Sequence, residues 1–186
     1  ITPYHQPVED NIIHRIVDEL ERSSDYQARR HAVLAFNREH KILRKVIALT
    51  PVKFGISYTA TWHNQAGALV HVYRDGSIHL SHGGTEMGQG LHIKVAQVVA
   101  EAFGVTLDHV KINATNTGKV PNTSATAASS GTDLNGMAAL NAAEQIKARM
   151  EAHAARIYEV EPKDVHWEFG GIRAGEQFVP FWQLAE

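Results

Sequence analysis

The sequence predicts an α+β fold in which helices pack on small mixed or antiparallel sheets. Three observations predict it. Two apolar-periodic segments near the N-terminus read as a helical hairpin over residues 11–40. Two Val/Ile-rich segments flank Asp75-Gly76 as a β-hairpin would, and a glycine-rich run, Ser81 to Gly90, leads from the second of them into a third periodic segment.

In the first helix Asn11 is placed to cap Ile12, Ile13, Ile16, Val17 and Leu20; Ser23-Ser24-Asp25 caps a second through Tyr26, Ala32, Val33 and Phe36. The charged runs Arg29-Arg30-His31 and Arg38 to Lys41 fit a solvated face. Val46 to Val52 is apolar and β-branched and Ile56 to Thr61 alternates, so both should be extended and partly buried. Asp75-Gly76 suits a two-residue type I′ turn between Ala68 to Tyr73 and Ser77 to Leu80. Leu91, Val95, Val98, Val99, Ala102 and Phe103 recur at steps of three and four, a helical stripe that Gly104 ends. Val110 to Ile112 reads as a short strand and Asn113 to Ser129 as a long loop. A further helix follows, with Ser130 and Asp133 spaced as a capping box, and runs to about His153. Val165 to Phe169 and Gln177 to Val179 read as strands around Gly170, Gly171 and Gly175. Trp167, Phe169 and Phe178 are expected in the core, and Pro180 to open a last helix.

Composition narrows the function classes. With 44% hydrophobic and 20% charged residues in 186, the chain is globular and long enough for a core of its own. The absence of cysteine excludes disulfides, iron-sulfur ligation and thiolate metal sites within it. A net charge of -2 gives no basic footprint for nucleic acid. No apolar run is long enough to span a bilayer and no signal-peptide pattern is present, so a soluble cytoplasmic protein without membrane or nucleic-acid partners is expected. The first residues lack Met and read as the middle of a longer polypeptide.

The glycine run is the chemical centre. Unpaired N–H groups and the helix dipole at such a turn attract phosphate, carboxylate or a polar heterocycle, and glycine lets the ligand approach. A sharp strand-to-helix connection without any ligand is the plainer alternative. A phosphate loop would end in Gly-Lys-Ser/Thr, and a dinucleotide fingerprint from Gly88 would need glycine where Ile93 stands. The small residues Ala125 to Ser130 repeat the device before the next helix, and the two turns together suit the walls of one cleft. Glu86 is a candidate base or, as we prefer, an acceptor for nearby backbone N–H groups. Gln89 offers both a donor and an acceptor to a heterocycle or oxo group. His82 also lies near the loop, and His92 is expected to be packed or solvent-facing. No Ser-His-Asp set or acid pair stands out.

Twelve histidines raise the question of a metal, with His63, His71, His79 and His82 nearest one another. A two-residue turn would place His71 opposite Leu80, and so His71 and His79 on opposite faces. No protein-ligated metal is therefore expected.

Ser81-His82-Gly83-Gly84-Thr85-Glu86-Met87-Gly88-Gln89-Gly90-Leu91-His92 resembles the molybdenum-cofactor loop of the xanthine dehydrogenase and aldehyde oxidase family. Val120 to Ser129 resembles a second cofactor segment, and Lys53 to Ser57 with Asn64 to Ala68 a third, all in the family's order. The resemblance implies a piece of the molybdenum-cofactor-binding domain of a molybdenum hydroxylase, with residues 1–157 as the cofactor region and 158–186 as a truncated strand-rich extension. It implies molybdenum-molybdopterin held by Met87, Gly88, Gln89, Thr126, Ala127, Ala128 and Ser129, with the Ala128 backbone near the metal. Tyr58 and Thr59 would line the substrate pocket. The family hydroxylates hypoxanthine and xanthine to urate with oxygen from water and passes electrons through 2Fe-2S clusters to FAD. Those groups would lie on other domains or subunits of an oligomeric protein.

Two departures qualify this. Tyr58 stands where xanthine-oxidising members carry Phe, adding a hydroxyl that needs a partner. The family's Gly-x-Gly-Glu catalytic carboxylate and its substrate-binding Arg and Glu have no counterpart here, so no catalytic residue is expected in this chain and the fragment alone should be inactive. The aldehyde oxidase type and a non-catalytic module binding a small ligand or subunit remain the alternatives.

Overall fold

The structure is a computed structural model that describes all residues except Thr2, Pro3, Tyr4, Gln6, Ser57 and 119–122. The chain forms two compact units, Ile1–Phe54 and Gly55–Glu186.

In the first unit, helix α1 (Ile13–Ser23) and helix α2 (Tyr26–Glu39) form the expected hairpin. The Asn11 carboxamide accepts the Ile13 N–H at 3.2 Å. Asp25, at the N-cap of α2, makes no side-chain cap bond and instead takes a left-handed conformation with φ of 51°. The apolar stripe of α1 is present but no residue of either helix is buried. Beyond α2 the chain is tied back by Asn37, whose carboxamide exchanges two 2.9 Å hydrogen bonds with the backbone of Lys45. The segments 46–52 and 56–61, expected to be extended and partly buried, pair into no strand among the described residues. Apolar content favours a strand only where a neighbour pairs with it and covers one face, and Val46, Val52, Phe54 and Ile56 are largely exposed.

The second unit holds two three-stranded sheets. Strand β1 (Ala68–Val72) pairs antiparallel with β2 (Ile78–His82), and β2 pairs parallel with β3 (Val110–Ile112). Helix α3 (Leu91–Phe103) is the crossover of this β2-α3-β3 unit, and helix α4 (Gly131–Ile157) follows β3. The α3 boundaries match the sequence reading, and Gly104 closes the helix with φ of 64°. Leu91, Val95, Val99 and Phe103 meet Ile78, Leu80, Ala139 and Ala143 in the main core. The second sheet, β4 (Val165–Glu168), β5 (Gly171–Ala174) and β6 (Gln177–Pro180), is antiparallel and precedes a short helix α5 (Phe181–Ala185). Ile172 and Val179 pack there on Ala154 and Ala155 of α4.

Four expectations are corrected. The hairpin closes with a three-residue loop, not two: the Tyr73 N–H donates to the Ser77 carbonyl at 2.9 Å and Gly76 takes φ of 79°. The cause is local. The Asp75 carboxylate accepts both the Ser77 N–H and the Ser77 hydroxyl, at 2.9 and 2.6 Å, so that N–H is not free to close a two-residue turn. The register slides by one, and His71 lies directly opposite His79 on one face, rings 6.3 Å apart. Second, Ser130 makes no capping box; its hydroxyl donates back to the Ala127 carbonyl at 3.1 Å. Third, Gly171 is not a turn but begins β5, where a Cβ would lie 2.1 Å from the Val179 carbonyl oxygen. Fourth, Phe169 and Phe178 are exposed at 76% and 41%, whereas Trp167 does pack against the core.

Candidate cofactor cleft

Parallel pairing of β2 and β3 decides where the two small-residue turns go. Each turn leaves the carboxyl end of its strand, so both emerge at one edge of the sheet, the usual place for a ligand in α/β units. Between them lies a cleft of about 360 Å³, lined by Met87, Gln89, Leu91, Lys94, Thr126, Ala127, Ser129, Gly131 and Thr132. Five of the residues inferred from the two motifs, Met87, Gln89, Thr126, Ala127 and Ser129, meet there. Gly88 and Ala128 lie within the same turns and take positive φ angles, 98° and 53°, but are not part of the lining. The stretch 120–122 of the second motif lies outside the described residues.

The first wall is held by its own side chains. The Glu86 carboxylate accepts the N–H groups of Gly88 and Gly90 at 2.9 Å and of His92 at 3.0 Å, and so satisfies the otherwise unpaired start of α3. These bonds, led by that from His92, hold the carboxyl down to about 2. Such a group stays ionised and does not serve as a base near neutral pH, which agrees with the backbone role preferred from the sequence. Gln89 turns inward to the loop: its carbonyl oxygen accepts the Met87 N–H at 2.6 Å and its amide donates to the Thr85 carbonyl at 2.9 Å. The amide keeps one N–H beyond that bond for a ligand.

The second wall is fastened to the first. The Thr126 hydroxyl accepts the Thr85 N–H at 2.8 Å, and the Thr115 hydroxyl donates to the Gly84 carbonyl at 2.7 Å. At the loop base there is no space to spare: a Cβ on Gly83 would meet Thr123 Cγ2 at 2.1 Å, and one on Gly84 would meet Leu91 Cδ2 at 2.5 Å. Gly88, by contrast, faces open space.

Tyr58 and Thr59 do not line this cleft. They begin a turn closed by Asn64, whose carboxamide accepts the Tyr58 N–H at 3.1 Å and donates to the Tyr58 carbonyl at 2.8 Å. The turn is joined to the second wall, because the Ser124 N–H donates to the Gln65 carbonyl at 2.9 Å. Sequence reasoning missed Leu91, Lys94, Gly131 and Thr132. Helical spacing held the signal, since 91 and 94 are one turn apart on α3 and Thr132 stands in the first turn of α4. Of the histidines, His71 and His79 do share a face, against the expectation, yet no group of three or more His, Cys, Asp or Glu suited to a metal occurs among the described residues.

Residues 19–186 match the molybdopterin cofactor-binding domain. The chain belongs to that family. It is 52% identical over 151 residues to a xanthine dehydrogenase of Dictyostelium discoideum and 50% identical over 153 residues to one of Oryza sativa, covering 81% and 82% of this chain. The chain spans 11% of the length of each of these relatives. A solved CO dehydrogenase from Oligotropha carboxidovorans superposes with a TM-score of 0.61 at 30% identity, over 65% of this chain and 15% of that one. Quinoline 2-oxidoreductase from Pseudomonas putida 86 shares the fold over the whole chain, with a TM-score of 0.66, 18% identity and 26% of its own length covered. The α+β class with small mixed and antiparallel sheets is thus that of molybdenum hydroxylases.

The residues fit the family's cofactor. The cleft is within the usual size range for small-ligand sites, and its donor set is an amide, three hydroxyls and the Lys94 ammonium around the side chains of Met87 and Leu91. Those groups suit a flat heterocycle with polar edges and an anionic substituent.

Proposed function

We propose that this chain supplies part of the molybdenum-molybdopterin site of a xanthine dehydrogenase. The observation that carries the reading is the convergence of two sequence-distant motifs on one cleft, with Met87, Gln89, Thr126, Ala127 and Ser129 in its walls. Met87 and Leu91 would cover the pterin face, Gln89 and the Thr126 and Ser129 hydroxyls would take its polar edge, and Lys94 would face its anionic substituent. Gly88 would leave room for close approach, and the Ala128 backbone would lie toward the metal. When bound, molybdenum supplies the centre at which water-derived oxygen passes to a substrate carbon and two electrons are taken up. The walls of the chain would hold and orient the cofactor. Tyr58 and Thr59, joined to the second wall through Asn64, Gln65 and Ser124, would present an aromatic face to a purine.

In the whole protein the remaining parts would come from elsewhere: the catalytic carboxylate, the 2Fe-2S clusters and FAD, and further subunits. Residues 1–157 would form the cofactor region and 158–186 an extension that adds nothing to the cleft. Among the described residues no helix is long and apolar enough to cross a membrane, and we place the protein in the cytoplasm. The Tyr58 hydroxyl keeps an aldehyde oxidase-type substrate as the second reading. Molybdenum and pterin content of the intact protein, with assays on xanthine and on aromatic aldehydes, tests the proposal. About one molybdenum per chain and urate formation support it. Aldehyde turnover alone favours the second reading, and a metal-free intact protein would leave only a non-catalytic binding module.

A further inference from the structure

A histidine pair lies beneath the glycine loop, and the function just proposed gives it no task. His82, the last residue of β2, is 2% exposed, and its Nδ1 accepts the Gly84 N–H at 3.0 Å. That bond fixes the tautomer: Nδ1 carries the lone pair and Nε2 the proton. Nε2 is shut off from solvent and has no hydrogen-bond partner among the described residues, as has Nε2 of His92. The two rings meet edge to face with centroids 5.1 Å apart. One histidine enters the loop from the strand and the other leaves it on the first turn of α3, so the pair spans the turn at its base.

We propose that His82 is the positioning residue of the cleft, holding the glycine loop through Gly84 only while its imidazole is neutral. Protonation at Nδ1 would replace the lone pair with a donor facing another donor, and would put a charge against His92 in a buried site. Both changes release Gly84, and with it the turn that carries Met87 and Gln89 into the cleft. The surroundings give the charge no relief. β1 places Ala68 opposite His82, the segment after β3 brings Thr115 to its carbonyl, and α4 brings Asn135 to the base of the loop; none of these titrates. His92 is the titratable group that faces it, and Glu86, the nearby carboxylate, is already committed to three backbone N–H groups. Burial, and then His92, holds the imidazole down to about 4. The folded state therefore disfavours the proton. The contribution to stability is full above the ordinary histidine value of 6.5 and is lost as pH falls from there toward about 4.

The inference rests on the proposed cleft only for what the loop serves; its test reads the backbone. Hydrogen-deuterium exchange of a peptide spanning 81–91 is followed in the intact protein from about pH 7.5 down to about pH 4, corrected for intrinsic pH dependence and referred to a peptide from 171–180. In the wild type the loop should lose protection at the acid end before the reference does. In His82→Leu, exchange in the loop should be roughly fivefold to tenfold faster across the range, as for loss of one buried hydrogen bond. His82→Asn should restore protection and remove the acid-specific loss, because an Asn carbonyl can accept the N–H two residues on and does not titrate. Loop protection that tracks the reference down to pH 4, or a His82→Asn profile as acid-sensitive as the wild type, would overturn the proposal even if His82→Leu failed to fold. Molybdenum content of the same samples shows separately whether the cleft holds the cofactor.

Discussion

Thr126→Val tests whether the two walls of the cleft act as one. Valine matches threonine in shape, so the methyl packing near Gly131 survives, while the hydroxyl that accepts the Thr85 N–H at 2.8 Å is lost. Thr85 is exposed and its N–H can turn to water, which sets the cost in the middle of the range for a neutral hydrogen bond, about 1 kcal/mol. That is roughly fivefold in the population of the joined walls, and an affinity that depends on the joined state should fall by the same factor. The global melting temperature should hardly move, since about 1 kcal/mol is worth only a few degrees in a unit of this size. The assay is the rate at which molybdenum and pterin leave the intact protein during dialysis, with Thr126→Ser, which keeps the hydroxyl, as the comparison. Faster loss in the valine variant alone supports the argument. Equal loss rates in valine, serine and wild type would mean that the walls are positioned without this bond.

Phe103 is fully buried with its ring 5.4 Å from Phe181 and 6.0 Å from Trp167, so Phe103→Ala should cost about 3 to 5 kcal/mol in chemical denaturation. Gly83→Ala should destabilise by about 1 to 3 kcal/mol through its clash with Thr123, and adding Thr123→Gly should recover much of it in a double-mutant cycle. The Glu86 carboxyl sits at about 2 instead of its ordinary 4.5, so its contribution is present above 4.5 and is lost as pH falls toward about 2. Glu86→Gln should therefore be less stable than wild type near neutral pH, with the gap closing in acid melts; a gap independent of pH would refute that role.

Where signals were local, the sequence was legible. The α3 stripe and its Gly104 stop lie within fourteen residues of each other, Leu91–Phe103 plus one, and both were read to the residue. The glycine loop and the small-residue turn before α4 were legible as two walls of one cleft for the same reason: each is a turn against a helix start. Asp75-Gly76 shows the limit. The same two residues serve a two-residue or a three-residue loop, and the choice fell to the Asp75 bonds to Ser77, which composition does not reveal. Because strand side chains alternate with a period of two, that one-residue difference reversed the faces of His71 relative to His79. β5 was hidden by Gly171, whose missing Cβ reads as a turn but here admits the Val179 carbonyl.

What the sequence reading left open was the parallel pairing of β2 with β3, and the cleft depends on it. Had β3 paired antiparallel to β2, the turn before α4 would have left the opposite edge of the sheet, and the same residues would have formed two unrelated helix starts. The crossover through α3 supplies the parallel direction, since a helix between two strands brings the chain back to the starting edge. Three tight contacts then leave the walls little freedom: Gly83 on Thr123, Gly84 on Leu91, and Thr85 on Thr126. Consecutive loop residues thus touch two other segments, the loop before α4 and the start of α3, and the cleft shape follows from backbone closeness that only glycine at 83 and 84 permits. It is for this reason that His82, one residue before that run, is where a single proton has leverage over the whole loop.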